Sequence, residues 1–364
     1  MNGAMQKTKT NLMKACLLNA PAAVETRPLV SAEIPVPAPR PGEILIKISA
    51  CGICRTDLHV CEGELVPRLS PVIPGHQIVG TIKRISESVE GFHVGERVGA
   101  AWLHQTCGTC RYCRRGRENL CENAEFTGWT RNGGFAEYAV VPADFVYRMP
   151  ENFPDLQAAP LLCAGIIGYR ALKLTNLTAK EWSGARLGIY GFGAAGHVSI
   201  QIARARGAEV FVATRDRAKH QNLAEELGAV WVGDTFDEPP EKLDAAIIFA
   251  PAGEIVPVAL KALDKGATLV LGGIYMSPIP EFEYSLVYGE RIIRSVANNT
   301  REDGREFLAE AALIPVKTSI QTFPLDVAND ALIALKHDAI RGAGVLVIDK
   351  NAPGFSPSGA GFCA

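Results

Sequence analysis

Residues 43–50 place Ile44, Ile46 and Ile48 at every second position, with Lys47 and Ser49 between them. That period of two predicts a half-buried strand. Residues 13–19 begin an earlier strand. Prolines at 35, 37, 39 and 41 predict an extended segment, because proline lacks the donor a helix or central strand needs. A further strand is expected over 77–85. Residues 95–99 read as a turn into another, and short strands punctuated by Gly and Pro continue to about Met149. The first part of the chain therefore reads as an irregular, barrel-like β domain.

The pattern changes near Gly184. A short apolar strand (186–190) meets a glycine-rich turn. A helix follows with Val198, Ile202 and Ala205 on one face, then a strand over 209–213. Helices over 218–227 and 256–263 and strands over 244–250 and 267–271 extend the alternation, which predicts a doubly wound parallel sheet. Beyond about Val296 the pattern leaves that sheet. A turn (322–326), a helix (327–336) and a closing strand (342–348) follow. Residues 1–12 and 351–364 are expected to be loose, and no internal repeat is evident.

The 364 residues suggest about two domains. A formal net charge of −2 gives no electrostatic case for a nucleic-acid or anionic-membrane partner. No apolar run reaches the ~18 residues of a membrane span. Residues 1–14 lack the apolar core of a signal peptide, so a cytoplasmic protein is expected. Ten cysteines in such a chain point to metal rather than to a disulfide framework.

Cys107, Cys110, Cys113 and Cys121 are spaced so that four thiolates can close around one Zn²⁺ as a structural site. Arg111, Arg114, Arg115 and Arg117 would offset their charge. The stretch from Cys51 to His59 gathers thiols, a guanidinium, a hydroxyl, a carboxylate and an imidazole. If Cys54, His76 and Cys163 meet in space, they form a three-ligand zinc site with an open fourth position. Cys51 is expected to be a small packed residue, and Cys16, Cys61 and Cys363 have no motif around them.

The turn Gly191-Phe192-Gly193-Ala194-Ala195-Gly196 lies between a strand and a helix. In that setting the glycines allow a tight turn and close approach of a pyrophosphate at the helix N-terminus. The next strand ends at Thr214 and Arg215, where an acidic residue would bind the ribose of NAD(H). A hydroxyl and a guanidinium suit a 2′-phosphate, so NADP(H) is expected over NAD(H), with Asp216 nearby weakening the preference.

With these motifs in order, the sequence resembles the zinc-dependent medium-chain alcohol dehydrogenases, from about residue 13 to 348. The resemblance adds Gly133–Tyr138 and the Cys163-Ala164-Gly165 triplet to the motifs above. It implies an α/β fold: a GroES-like β-rich catalytic domain (1–163 and 300–364) plus a doubly wound Rossmann domain (164–299). It implies two Zn²⁺ per chain, with Cys54, His76 and Cys163 on the catalytic ion. Thr56 matches the hydroxyl that bonds the substrate oxygen, and His59 the distal proton acceptor reached through the nicotinamide ribose. Asp57 matches the carboxylate that orients the ligand histidine. Arg55 and Arg341 match pyrophosphate contacts, and Trp102 a substrate-pocket aromatic. The implied partner is a small alcohol or aldehyde, and the implied assembly a homodimer or homotetramer.

Two positions depart from the family pattern. Gln77 follows the ligand histidine where a glutamate is usual, and Ile167 stands where many members have threonine. Two other readings of the same residues are a zinc-free quinone or enone reductase on this fold and a non-catalytic zinc- and nucleotide-binding redox sensor.

Overall fold

The computed structural model describes residues 11–314 and 316–350. The expectations for residues 1–10 and 351–364, and Cys363 with them, lie outside the described residues. Residues 11 and 12 differ from expectation: the Asn11 carbonyl accepts from the Val36 N–H, and Leu12 opens the first strand.

The first half is built from β1 (Leu12–Leu18), β2 (Leu29–Pro35), β3 (Glu43–Ile53), α1 (Arg55–Glu62), β4 (Gln77–Ile85) and β5 (Arg97–Ala100). It continues with β6 (Leu103–Gln105), β7 (Glu125–Phe126), β8 (Tyr138–Pro142), β9 (Val146–Arg148) and the one-turn α2 (Asp155–Ala158). The doubly wound part opens with α3 (Ala164–Leu174), β10 (Arg186–Tyr190), α4 (Ala194–Ala205), β11 (Glu209–Ala213) and α5 (Asn222–Glu226). It is completed by β12 (Trp231–Gly233), β13 (Leu243–Ile248), α6 (Ile255–Ala262), β14 (Leu263–Leu271) and β15 (Ile292–Ser295). The chain then forms α7 (Arg301–Leu313), β16 (Ile320–Pro324), α8 (Ala328–Lys336) and β17 (Ala343–Val347).

Two large sheets result. The first runs β16-β17-β3-β4-β5-β9, with β8 also on β3, and only the β16–β17 pair is parallel. The end of the chain thus completes a sheet begun near its start. The second is wholly parallel in the order β12-β11-β10-β13-β14-β15. Strand order reverses between β10 and β13, and ligands of such sheets bind at that switch point.

Strand β3 follows its isoleucines: Ile44, Ile46 and Ile48 are all buried. They belong to a core shared with α1 and α8. A second core joins β3 and β4 residues Ala50 and Val79 to α3, β10 and α4, so apolar packing is continuous between the two sheets. Cys51 is buried in the first core, as its lack of a chemical role predicted. The helix expected over 218–227 opens with a wide turn, Arg217–Gln221, before α5. Several elements went unread in the sequence, among them β2, α3, α7, β12, β15 and β16, and the turn expected over 322–326 begins inside β16. Helix α3 lies against both α4 and α7 and has buried residues on most of its surface, which blurs the one-sided periodicity that marks a surface helix.

Candidate metal centre and active site

Cys54 ends β3 in an extended conformation (φ −145°, ψ 178°) and caps α1. Its thiol accepts from the Thr56 N–H at 3.3 Å, while its own N–H donates to Asp57 Oδ2 at 2.9 Å. The other Asp57 oxygen accepts from the Gly75 N–H at 3.1 Å and from His76 Nδ1 at 2.9 Å. One buried carboxylate therefore starts the helix, holds the following loop and sets the histidine tautomer. Gly75 adopts φ +94°, and a Cβ there would lie 2.3 Å from Phe135, so glycine alone fits this approach to His76.

With Nδ1 committed, His76 presents Nε2 to Cys54 Sγ at 3.4 Å, and the Cys163 Sγ lies 3.9 Å from that of Cys54. The three ligand atoms all lie within 4.8 Å of one another. A tetrahedral ion with bonds of ~2.3 Å requires ligand separations of about 3.8 Å, so the donor set fits zinc. Cys163 caps α3, directly after the turn Ala159–Leu162 that packs on β3 and β4. Its partners in the cluster are 109 and 87 residues away, so the packing of that turn and of α2 against the first sheet brings it there.

The electrostatics suit a cation. The Cys54 thiol is held well below its ordinary range, chiefly by the Cys163 thiol donating to it, and also by the charge of His76. Cys163, as the donor of that pair, is raised. Burial opposes a charge on His76, but the Asp57 carboxylate and the Cys54 thiolate outweigh it and raise its pKa to about 10. A positive charge is thus favoured at the spot a metal would take.

Cys107, Cys110, Cys113 and Cys121 form the second cluster, again with all ligand atoms within 4.8 Å. Sulfur separations run from 3.5 to 4.0 Å. Backbone N–H groups of Thr109 and Cys110 lower the Cys107 thiol to about 6. No disulfide joins any described cysteine. The lobe has its own small core of Leu103, Cys121, Ala124 and Phe145. Glu118 pairs with Arg301 at 2.7 Å and so ties the lobe to the start of α7.

Thr56 is buried and its hydroxyl reaches the Cys54 thiol. His59 lies one turn further along α1, mostly buried, with its Nδ1 against Glu64. Trp102 is buried with its edge on the His76 ring (centroids 5.1 Å). Phe126 and Trp129 stack on it at 5.1 and 5.8 Å, the latter nearly parallel. These two rings, and Glu64, were missed in the sequence; only the density of aromatic residues near the four-cysteine loop could have flagged the rings. Gln77 is buried across from Gly52, and among the described residues its amide nitrogen has no partner. Ile167 is partly buried in the first turn of α3, bonding the Cys163 carbonyl at 2.8 Å.

At the switch point, Gly191 has φ +87°, and a Cβ there would be 2.8 Å from the Ala250 nitrogen. Gly193 caps α4 without a side-chain hydrogen bond, and a Cβ built on it meets nothing within 4 Å. The space beside Gly193 leaves room for a pyrophosphate at the helix start, next to the partly buried Ala194 and Ala195, while Gly196 is buried against Gly191. Thr214 is buried at the end of β11, and Arg215 is exposed 3.4 Å from Asp338. Asp216 (φ +63°) caps the following turn through the Lys219 N–H. Arg55 heads α1, while Arg341 pairs with Glu226 at 2.8 Å.

Fold and site together define a zinc-binding dehydrogenase, an oxidoreductase built on a Rossmann sheet and a β-rich metal domain. The chain matches the alcohol dehydrogenase GroES-like domain over residues 40–151 and the zinc-binding dehydrogenase domain over 194–312. It is 46% identical over 345 residues to "Probable alcohol dehydrogenase AdhA" of Mycobacterium tuberculosis, covering 93% of this chain and 98% of that one. It is 38% identical over 335 residues to an alcohol dehydrogenase of Geobacillus stearothermophilus, covering 89% and 97%. A cinnamyl alcohol dehydrogenase of Sorghum bicolor superposes with a TM-score of 0.83 at 28% identity, covering 93% and 98%. The chain belongs to the zinc-dependent medium-chain alcohol dehydrogenase family. No helix among the described residues is long and apolar enough to cross a membrane.

Proposed function

We propose that the protein is a zinc-dependent alcohol dehydrogenase or aldehyde reductase that uses NADP(H) in preference to NAD(H). The observation that carries this reading is the convergence of Cys54, His76 and Cys163 at the helix that also bears Thr56 and His59. Cys54, His76 and Cys163 would hold one ion and the four-cysteine lobe a second. Zinc in the first site supplies Lewis acidity, which acidifies an alcohol or polarises a carbonyl. The nicotinamide supplies the hydride acceptor or donor.

The chain's own residues do the rest. Asp57 fixes His76 so that Nε2 faces the metal site. Thr56 takes the proton of the substrate hydroxyl while passing its own onward, by way of the nicotinamide ribose, to His59, which acts as the general base and releases it to solvent. Trp102, Phe126 and Trp129 form an apolar wall beside His76 that orients the organic part of the substrate. The start of α4 receives the pyrophosphate, assisted by Arg55 and Arg341. Arg215 and Thr214 receive the 2′-phosphate, and Asp216 opposes it less because its carboxylate is occupied with Lys219. Thiolate metal sites of this kind favour a reducing compartment, in keeping with a cytoplasmic enzyme.

A homodimer, or a homotetramer made of two such dimers, accounts for the free edge of the parallel sheet. All four residues of β15 are exposed, Ile292 and Ile293 among them. Antiparallel pairing with the same strand of a second copy would cover that edge. Sedimentation of an Ile293→Lys variant tests it, since monomers are expected.

The deciding experiment is a screen of alcohols and aldehydes with both cofactors, alongside a zinc count. Turnover with two zinc ions per chain is expected. Full activity in metal-stripped protein would sink the mechanism.

A further inference from the structure

Helix α1 ends at Gly63, whose left-handed φ of +88° turns the chain back on itself. The Gly63 and Leu65 N–H groups both bond the His59 carbonyl, at 3.1 and 3.0 Å. That turn delivers Glu64 onto the side chain of His59, where Oε2 contacts Nδ1. The His59 side chain is 12% exposed and that of Glu64 50%, so the carboxylate bridges a nearly buried imidazole and water. Across from α1, the Tyr275 ring stands 5.8 Å from the His59 ring, on the loop after β14. Arg55 lies one turn earlier on the same helix. Asp57 is turned to His76, and Glu62 to Lys336.

We propose that Glu64 is a positioning residue for the proton step, an inference that rests on the alcohol dehydrogenase reading. It holds His59 in the tautomer with hydrogen on Nδ1. That leaves Nε2, at the far edge of the ring, as the acceptor. In alcohol oxidation the C–H electron pair leaves as hydride for the nicotinamide, and the hydroxyl proton ends on Nε2. The imidazolium then gives that proton to water and returns to its starting tautomer. The Glu64 side chain is half exposed, so its replacement leaves the fold intact.

The test uses the zinc-loaded full-length enzyme with Glu64→Gln and Glu64→Ala. Nitrogen-15 spectra of the histidines, with His59→Gln as the assignment control, read the tautomer in the absence of substrate. The Gln variant retains an acceptor oxygen but no charge. It should keep the Nδ1–H tautomer and most of kcat for alcohol oxidation. The Ala variant should mix tautomers and lose kcat on the order of tenfold, part of the ~10²–10⁴ that a positioned base supplies. An unchanged tautomer or an unchanged kcat in Glu64→Ala would overturn the proposal. A wild-type enzyme that turns over no alcohol would overturn the functional reading and the proton role with it, while the tautomer measurement would still report the Glu64 contact.

Discussion

Asp57 binds His76 through a 2.9 Å hydrogen bond to Nδ1, and its second oxygen holds the N–H of Cys54 at 2.9 Å. Two residues of the candidate metal centre, one just after β3 and one just before β4, are thereby fixed by one carboxylate. Its burial raises its own pKa, and the charge and hydrogen bond of His76 offset part of that cost. Asp57→Asn should lower zinc affinity at this site by about 10–100-fold. Competition with a chromogenic chelator measures it; the four-cysteine site, away from Asp57, should keep its ion.

Metal uptake should release protons. His76 has a pKa raised to about 10 and Cys163 is raised above the thiol range, so both carry protons at neutral pH without a metal. Zinc must displace them, and affinity should rise with pH through the neutral range. Calorimetry in buffers of different ionisation enthalpy counts the protons. No proton release would contradict the ligand assignment.

Cys54→Ser should leave one zinc per chain, an unaltered circular dichroism spectrum and no measurable turnover. Cys110→Ser should instead lose the other ion and lower the unfolding temperature, because a closed site contributes directly to folding. Elemental analysis of the two variants, side by side, distinguishes the roles.

Arg215→Ala should cut kcat/KM with NADP about 10- to 100-fold, and much less with NAD, through loss of a charge-assisted bond to the 2′-phosphate worth ~1.5–3 kcal/mol. Asp338, 3.4 Å from that guanidinium, competes with the phosphate, so Asp338→Asn should shift selectivity further toward NADP. Fluorescence titration with both reduced cofactors reads each effect. Equal losses with NAD and NADP would argue against the assignment of the 2′-phosphate site.

His197 joins the first turn of α4 to the start of β16. Its Nδ1 donates to the Gly193 carbonyl at 3.2 Å, and its Nε2 accepts from the Ser319 N–H at 3.3 Å. Burial lowers its pKa from 6.5 to about 4. Between those values the unfolded chain binds the proton that the folded chain refuses. Stability is therefore full above pH 6.5 and falls as pH drops toward 4, by roughly 3 kcal/mol at most from this residue. Urea midpoints at pH 7 and pH 5 should differ less in His197→Gln than in the wild type.

Much of the site was legible because its chemistry is local. Cys54, Thr56, Asp57 and His59 sit on one strand end and the helix it caps, so spacing alone placed them together. The four cysteines lie within 15 residues, and the glycine turn is fixed by its strand and helix. Phe126, Trp129 and Glu64 were not legible, since nothing in their neighbours' sequence says which side chain they touch. Helix α3 went unread for another reason: it is packed on several sides and offers no polar stripe.

The sequence by itself determined the ligand types, the two-part organisation and the glycine turn, because these follow from residue chemistry and short-range spacing. Only the tertiary structure decided that Cys163 meets Cys54 and His76. That meeting requires α2 and the turn Ala159–Leu162 to dock on β3 and β4 through a shared apolar core, an outcome of packing among residues distant in sequence. The same packing set the pairing of Arg215 with Asp338, and a local turn set that of His59 with Glu64. Motif spacing carries no information about which charged side chain a loop returns to a given partner.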